Sequence, residues 1–187
     1  MTAQITDTFL FKGKPYQLIG ITGGNLFSSQ DFGIEAEFIN TACWRGFYST
    51  YEIIDKGIFL KDMTVLLEPR KDGKYKAINN VLPQQISDDE ALYKDINLPV
   101  SSFTGKLRIA RGFIDELYIH MGFPKPSAFK TVLDLTFESG QLKETKNRSK
   151  EMKKKRGTFK KLYNEHCKSG KIGQAVEKAF SLDMDLE

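Results

Sequence analysis

Cysteine and histidine are scarce in this chain of 187 residues, which contains two of each. Cys43 and Cys167 lack the regular spacing of a disulfide framework, so we expect reduced thiols rather than a stapled secreted scaffold. Zinc sites normally use ligands paired at short spacing, and the adjacent His166 and Cys167 do not provide such a pair. We therefore predict no metal site.

Long apolar runs are also missing. No stretch approaches the roughly 18 apolar residues of a membrane-spanning helix. The N-terminal residues do not show the basic segment and apolar run of a secretory signal. We expect a cytoplasmic protein without a transmembrane segment.

A glycine-rich turn, Gly20 to Asn25 (GITGGN), follows a predicted strand. It resembles the glycine-rich turn of short-chain dehydrogenases over about six residues. The sequence after it lacks the later glycine, and no strand–helix–strand unit follows to place a helix behind a pyrophosphate. The segment therefore predicts a loop, and no cofactor is expected.

Charge is distributed unevenly along the chain. Residues 1–142 carry fifteen Lys/Arg and seventeen Asp/Glu, a net charge of −2, whereas residues 143–187 carry thirteen and seven, a net charge of +6. We predict a β domain over residues 1–142, followed by a basic connector and two short C-terminal helices over residues 143–187.

Short β-branched and aromatic runs separated by turn residues dominate the first 142 positions, a pattern typical of antiparallel sheets. Hairpins are predicted around Lys12–Pro15 and Asp55–Gly57, and a tight turn at Glu138–Gln141. Ser87 and Glu90 form a capping-box pattern, which predicts a short inserted helix. The expected fold is mainly β (α+β overall), an antiparallel sandwich or partly open barrel with this inserted helix and a basic helical appendage.

The tail shows helical periodicity. Apolar residues recur at Ile172, Ala175, Val176, Ala179 and Phe180, which match one face of an amphipathic helix. Such a stripe either docks on its own domain or meets a partner or membrane surface.

Aromatic and arginine residues concentrate in Thr41 to Glu52, which contains the only tryptophan. This mixture is typical either of a binding surface or of a central strand with the indole in the core. Together with a second predicted strand, it gives a candidate wall for a ligand or partner site, made of Trp44, Arg45, Tyr48, Arg108, Arg111, Tyr118 and His120.

Three functions follow as hypotheses. The first is a non-catalytic interaction protein that binds a protein or small ligand through its β domain. The second is sequence-nonspecific nucleic-acid binding through a basic segment, whose candidate residues are Lys146, Arg148, Lys150, Lys153, Lys154, Lys155, Arg156, Lys160 and Lys161. The third is a hydrolase that uses Glu35 and Glu37 on one face of a strand, or His120 as a base.

Overall fold

A computed structural model describes residues 2–67, 75–118, 120–156 and 179–184. The described strands are β1 (Thr8–Phe11), β2 (Lys14–Thr22), β3 (Phe47–Ile54), β4 (Gly57–Leu66), β5 (Gln84–Ser87), β6 (Glu90–Tyr93), β7 (Leu98–Pro99), β8 (Gly105–Phe113), β9 (Phe129–Glu138) and β10 (Gln141–Asn147). Residues 149–156 form helix α1. The predicted mainly β fold is confirmed. Within these ranges, no helix has the length and apolar character needed to cross a membrane.

The sheet closes on itself through hydrogen bonds. Its strand order is β10-β9-β8-β2-β1-β3-β4-β6-β5, and β10 also pairs with β4 at Gln141 and Gly57. Next to this pair, the amide of Leu142 donates to the carbonyl of Lys56 at 2.7 Å. The ring thus contains seven strands, with β5, β6 and β7 attached at β4, consistent with a sandwich or partly open barrel.

Strands β8 and β9 are buried on both faces, because they lie between two apolar clusters. Leu107 and Leu135, paired across the two strands, belong to the main core. Ala110 and Val132, also paired, belong to a smaller cluster that Met152 of α1 covers. Burial on both faces explains why apolar residues occupy consecutive positions at Ile109-Ala110 and Val132-Leu133 instead of alternating strictly with polar ones.

Turn chemistry explains the hairpins. Both central residues of the two-residue turns Lys12-Gly13, Asp55-Lys56 and Ser139-Gly140 have positive φ. This conformation matches the twist of the flanking strands. The three predicted turns are therefore confirmed. In the second, Asp55 and Lys56 carry the positive φ, and Gly57 already belongs to β4.

The predicted inserted helix is wrong. Ser87 ends β5 and Glu90 begins β6, so the capping-box pattern lies in a hairpin turn in which the Ser87 hydroxyl donates to Asp89 at 2.8 Å. Strand β6 pairs with β4 and buries Ala91 and Tyr93. The burial gained by this pairing outweighs the local helix signal.

The chain is packed on the sheet beyond Leu142, the last residue of the predicted β domain. Strand β10 continues to Asn147, and Met152 of α1 is buried. Residues 179–184 also lie on the sheet, where Ile21 donates its amide to the carbonyl of Leu182 at 2.7 Å. The two predicted C-terminal helices fall mostly on residues 157–178, outside the described residues.

A buried ion cluster fastens the start of α1 to the sheet. Asp134 of β9 accepts hydrogen bonds from Arg108 of β8 at 2.7 and 3.1 Å, and from Arg148 at 2.9 Å. Burial alone would raise the pKa of Asp134, but the two guanidinium groups outweigh it and lower this pKa below its ordinary value. Since the folded-state pKa is lowered, Asp134 stabilises the fold above its unfolded-state pKa of about 4.

Asp134→Asn should lower the free energy of unfolding near neutral pH by about 3 kcal/mol, because it leaves the buried Arg108 without its carboxylate. The difference from wild type should shrink as the pH falls below about 4, where the wild-type carboxyl becomes protonated. Urea unfolding across this pH range measures it, with the exposed Asp88→Asn as the matched control. A difference that does not change with pH would contradict this assignment.

Candidate functional site

The seven predicted site residues do not converge on one cleft. Trp44 and Arg45 lie in the turn before β3, and Tyr48 lies on β3. Arg108 is buried in the Asp134 cluster, and Arg111 lies further along β8. The structure therefore brings only Trp44 and Arg45 of this set to a common concavity.

Tyr118 and His120 follow a short 3-10 helix, Asp115–Leu117, rather than lying on the predicted strand. The prediction that the second strand carries these two residues is therefore wrong. The Tyr118 hydroxyl is 2.8 Å from Nδ1 of His120, and both residues are exposed. Neither lines the concavity at Trp44.

Asp7 anchors the Trp44–Arg45 turn. This carboxylate is 3% exposed and accepts from both terminal nitrogens of Arg45, at 2.8 and 3.0 Å, and from the Ser49 amide at 2.8 Å. Burial alone would lower the pKa of Arg45, but the charge of Asp7 and its hydrogen bonds raise it overall. Two parallel N–H···O bonds to one carboxylate fix the guanidinium in a single orientation.

The N-terminal segment holds the same turn from the other side. The side-chain amide of Gln4 donates to the carbonyl of Thr41 at 2.8 Å, and its oxygen accepts the Trp44 amide at 3.1 Å. Cys43, between them, is 3% exposed. Burial raises the pKa of its thiol, so this cysteine is a poor nucleophile near neutral pH.

Trp44 is only partly covered, although aromatic rings lie on either side of it. Its indole stacks on Phe180, with ring centroids 4.2 Å apart, and meets the edge of Phe38 at 6.4 Å. Trp44 is nevertheless 45% exposed and Phe38 is 61% exposed. Of the two interpretations of this segment, the structure therefore favours a surface over a core indole.

A concavity of about 340 Å³ opens beside this stack. Its lining residues are Gln4, Trp44, Arg45, Phe123, Phe180 and Leu182. The Gln4 amide and the terminal nitrogens of Arg45 are already engaged in the bonds above, so the free lining is mainly aromatic and aliphatic. We call Phe38, Trp44, Phe180 and this concavity the Trp44 surface.

The C-terminal segment builds one wall of the Trp44 surface. The amide of Phe123 donates to the carbonyl of Ala179 at 2.7 Å, and Ile21 and Asp183 form a parallel bridge. Gly122 is required here, because a Cβ at this position would collide with the carbonyl of Ala179. Ala179 and Phe180 of the predicted apolar stripe thus contact the chain's own β domain.

The residues of the hydrolase hypothesis are not assembled. Glu35 and Glu37 lie in an irregular segment between Gly33 and β3, where the predicted strand does not form, and both are exposed. Neither they nor His120 line the concavity. Within the described ranges, no group of three Cys, His, Asp or Glu residues has the geometry of a metal site.

The basic segment divides into structural and exposed residues. Arg148 bonds Asp134 and Glu151, and Arg156 donates to the carbonyls of Ser127 and Phe129. Among the predicted nucleic-acid contacts that the structure describes, the exposed lysines are Lys146, Lys150, Lys153, Lys154 and Lys155, and Lys155 lies 3.8 Å from Glu151. Lys160 and Lys161 lie outside the described residues.

Sequence reasoning missed Asp7, Gln4, Phe38 and Phe123. Phe180 was recognised only as part of a helical stripe. These residues reach the Trp44 surface through contacts between segments far apart in the chain, and local periodicity does not report such contacts. A single acidic residue before a predicted strand, such as Asp7, forms no sequence pattern from which its contacts could be predicted.

No known protein family, curated protein sequence or solved structure matches this chain.

Phe180→Ala should expose the indole of Trp44 to water and shift its fluorescence emission to longer wavelength. Trp44 is the only tryptophan, so the emission of the intact protein reports on this one ring. Leu82→Ala, at a residue 65% exposed, is the control and should leave the spectrum unchanged. An unaltered emission in the Phe180 variant would show that the stack does not form in solution.

Proposed function

We propose that this protein is a non-catalytic interaction module that recognises another protein through the Trp44 surface. One observation carries the proposal: a tryptophan held in a fixed position by Asp7 and Gln4 stays 45% exposed at the rim of a concavity. Tryptophan next to a pocket is typical of the residues that contribute most to protein–protein binding.

The extent of the apolar area favours a protein over a small molecule. Phe38 and Ile39 are 61% and 36% exposed, and both lie outside the lining of the concavity. A small ligand seated in about 340 Å³ would leave them in water. A protein that inserts one apolar side chain and covers the rim would bury all of them.

The pairing of the charged side chains at this surface supports the same proposal. The Arg45 guanidinium is paired with Asp7, so the surface offers few free charges to attract a charged substrate. Binding would then depend on apolar burial, with a weak dependence on salt. The scarcity of cysteine favours a reducing cytoplasmic location for this interaction.

Recovery of the partner should depend on the Trp44 surface. Full-length wild type, Phe38→Ser, Trp44→Ala and the control Leu82→Ser are each used as affinity bait in extract of the cells that express the protein, with quantitative mass spectrometry. We expect one stoichiometric protein, with affinity reduced at least about tenfold in the two surface variants and unchanged in the control.

Phe38→Ser keeps the test decisive if Trp44→Ala fails to fold, because the exposed Phe38 contributes little to the core. Folding of each bait is verified by circular dichroism. Equal recovery by all four baits, or a small apolar molecule bound instead of a protein, would contradict the proposal.

A second function, nucleic-acid binding, is favoured by the orientation of α1. Met152 of this helix is buried, so Lys150, Lys153 and Lys154 are left exposed on the outside. We propose that these lysines contact phosphates without reading sequence, since phosphate contacts require cations and give no base specificity. A fragment ending at Leu142 would lose part of β10 and all of α1, so charge reversal in the full chain is the better test.

Lys150→Glu, Lys153→Glu and Lys154→Glu together should weaken binding to a random single-stranded oligonucleotide. The slope of log affinity against log salt should fall by about 2, because three phosphate contacts are lost. Fluorescence anisotropy measures this, and reversal of three exposed lysines elsewhere, Lys56, Lys94 and Lys106, is the control. An affinity that does not change with salt concentration, or that falls equally in both triple variants, would exclude α1 as the contact.

A further inference from the structure

Among the residues that the structure describes, none forms a hydrogen bond or an ion pair with the guanidinium group of Arg111, and its Nε is fully buried. The other four arginines in the described part of the chain all bond carboxylates or carbonyls: Arg45, Arg108, Arg148 and Arg156. Desolvating a charged donor without a counter-charge is unfavourable, so evolution normally pairs such a group or uses it.

A cation–π contact joins this guanidinium to the core. Arg111 lies over the ring of Tyr16, 5.5 Å from its centroid. Tyr16 is 8% exposed and meets the edge of Phe11 at 6.3 Å. One side of the guanidinium therefore faces a buried ring, while its terminal nitrogens are not buried. The N–H donors on the two terminal nitrogens form a planar fork, which is suited to binding an oxyanion.

Two lysines of the β1–β2 hairpin add positive charge next to the rings of Phe11 and Tyr16. Lys12 places its ammonium over the ring of Phe11, 5.3 Å from the centroid, and Lys14 is the register partner of Phe11. Both are exposed. Among the residues that the structure describes, no carboxylate forms an ion pair with Lys12, Lys14 or Arg111.

We propose that Arg111 binds the oxyanion group of a small molecule, a phosphate or a carboxylate, with Lys12 and Lys14 adding attraction at the rim. The terminal nitrogens of Arg111 donate to two oxygens of the anion, as guanidinium groups do with planar or tetrahedral oxyanions. Tyr16 fixes the orientation of the guanidinium before the anion arrives. This site does not include the Trp44 surface, so the two proposals are tested independently.

Thermal unfolding of the full-length protein with inorganic phosphate, with acetate and with chloride at equal ionic strength tests the proposal. At about ten times the dissociation constant, the bound anion should raise the melting temperature of the wild type by roughly 3–6 °C relative to chloride. A shift with phosphate alone or acetate alone identifies the group. Lys94→Met, which removes an exposed charge elsewhere, should keep the shift.

Arg111→Met separates binding from structure. It keeps the apolar length of the side chain over Tyr16 and removes the unpaired charge, so the melting temperature in chloride should stay equal or rise, while the shift with the anion disappears. Arg111→Lys should keep the charge but lose most of the shift, because an ammonium lacks the fork. The proposal is wrong if neither anion shifts the wild type, or if Arg111→Met keeps the full shift.

Discussion

Closure of the sheet between β4 and β10 is the constraint on which the rest of the structure depends. The pair Gln141–Gly57 and the bond from Leu142 to the carbonyl of Lys56 join the two ends of a seven-strand ring. Without this junction, the amides of Ile58 and Leu142 would lose the carbonyls of Gly140 and Lys56 to which they donate. With it, one apolar core is enclosed, and residues such as Leu107 and Leu135 are fully buried.

The Trp44 surface lies where the chain departs from this ring. The Trp44 surface is built from the N-terminal segment, the turn before β3 and residues 179–184, which the Asp7–Arg45 pair and the Ile21–Leu182 hydrogen bond hold against the sheet. Arg111 instead lies within β8, on a strand that the ring makes rigid. Both places combine a well-packed support with a group that the described residues leave unsatisfied, either an apolar ring in water or a guanidinium without a hydrogen-bond acceptor for its Nε.

The features of the fold that the sequence predicts correctly depend on residues that are close together in the chain. The hairpins at Lys12-Gly13 and Asp55-Lys56 follow from turn residues that tolerate positive φ, which short sequence windows reveal. The helix predicted from Ser87 and Glu90 failed because pairing of β6 with β4 decides the structure there. The candidate set was found in part: Trp44 and Arg45 follow from composition, but the contacts from Asp7 and Phe180 depend on strand order, which the sequence pattern does not contain.

Site-specific photo-crosslinking from position 38 tests most directly whether the Trp44 surface is a protein interface. A photoreactive phenylalanine analogue replaces Phe38 in one full-length protein and Leu82 in another, since both residues are exposed apolar side chains outside the strands and far apart in the sequence. The account predicts one discrete protein adduct from position 38 that Trp44→Ala abolishes, and none from position 82. The same adducts from both positions, or an adduct that persists without Trp44, would contradict it.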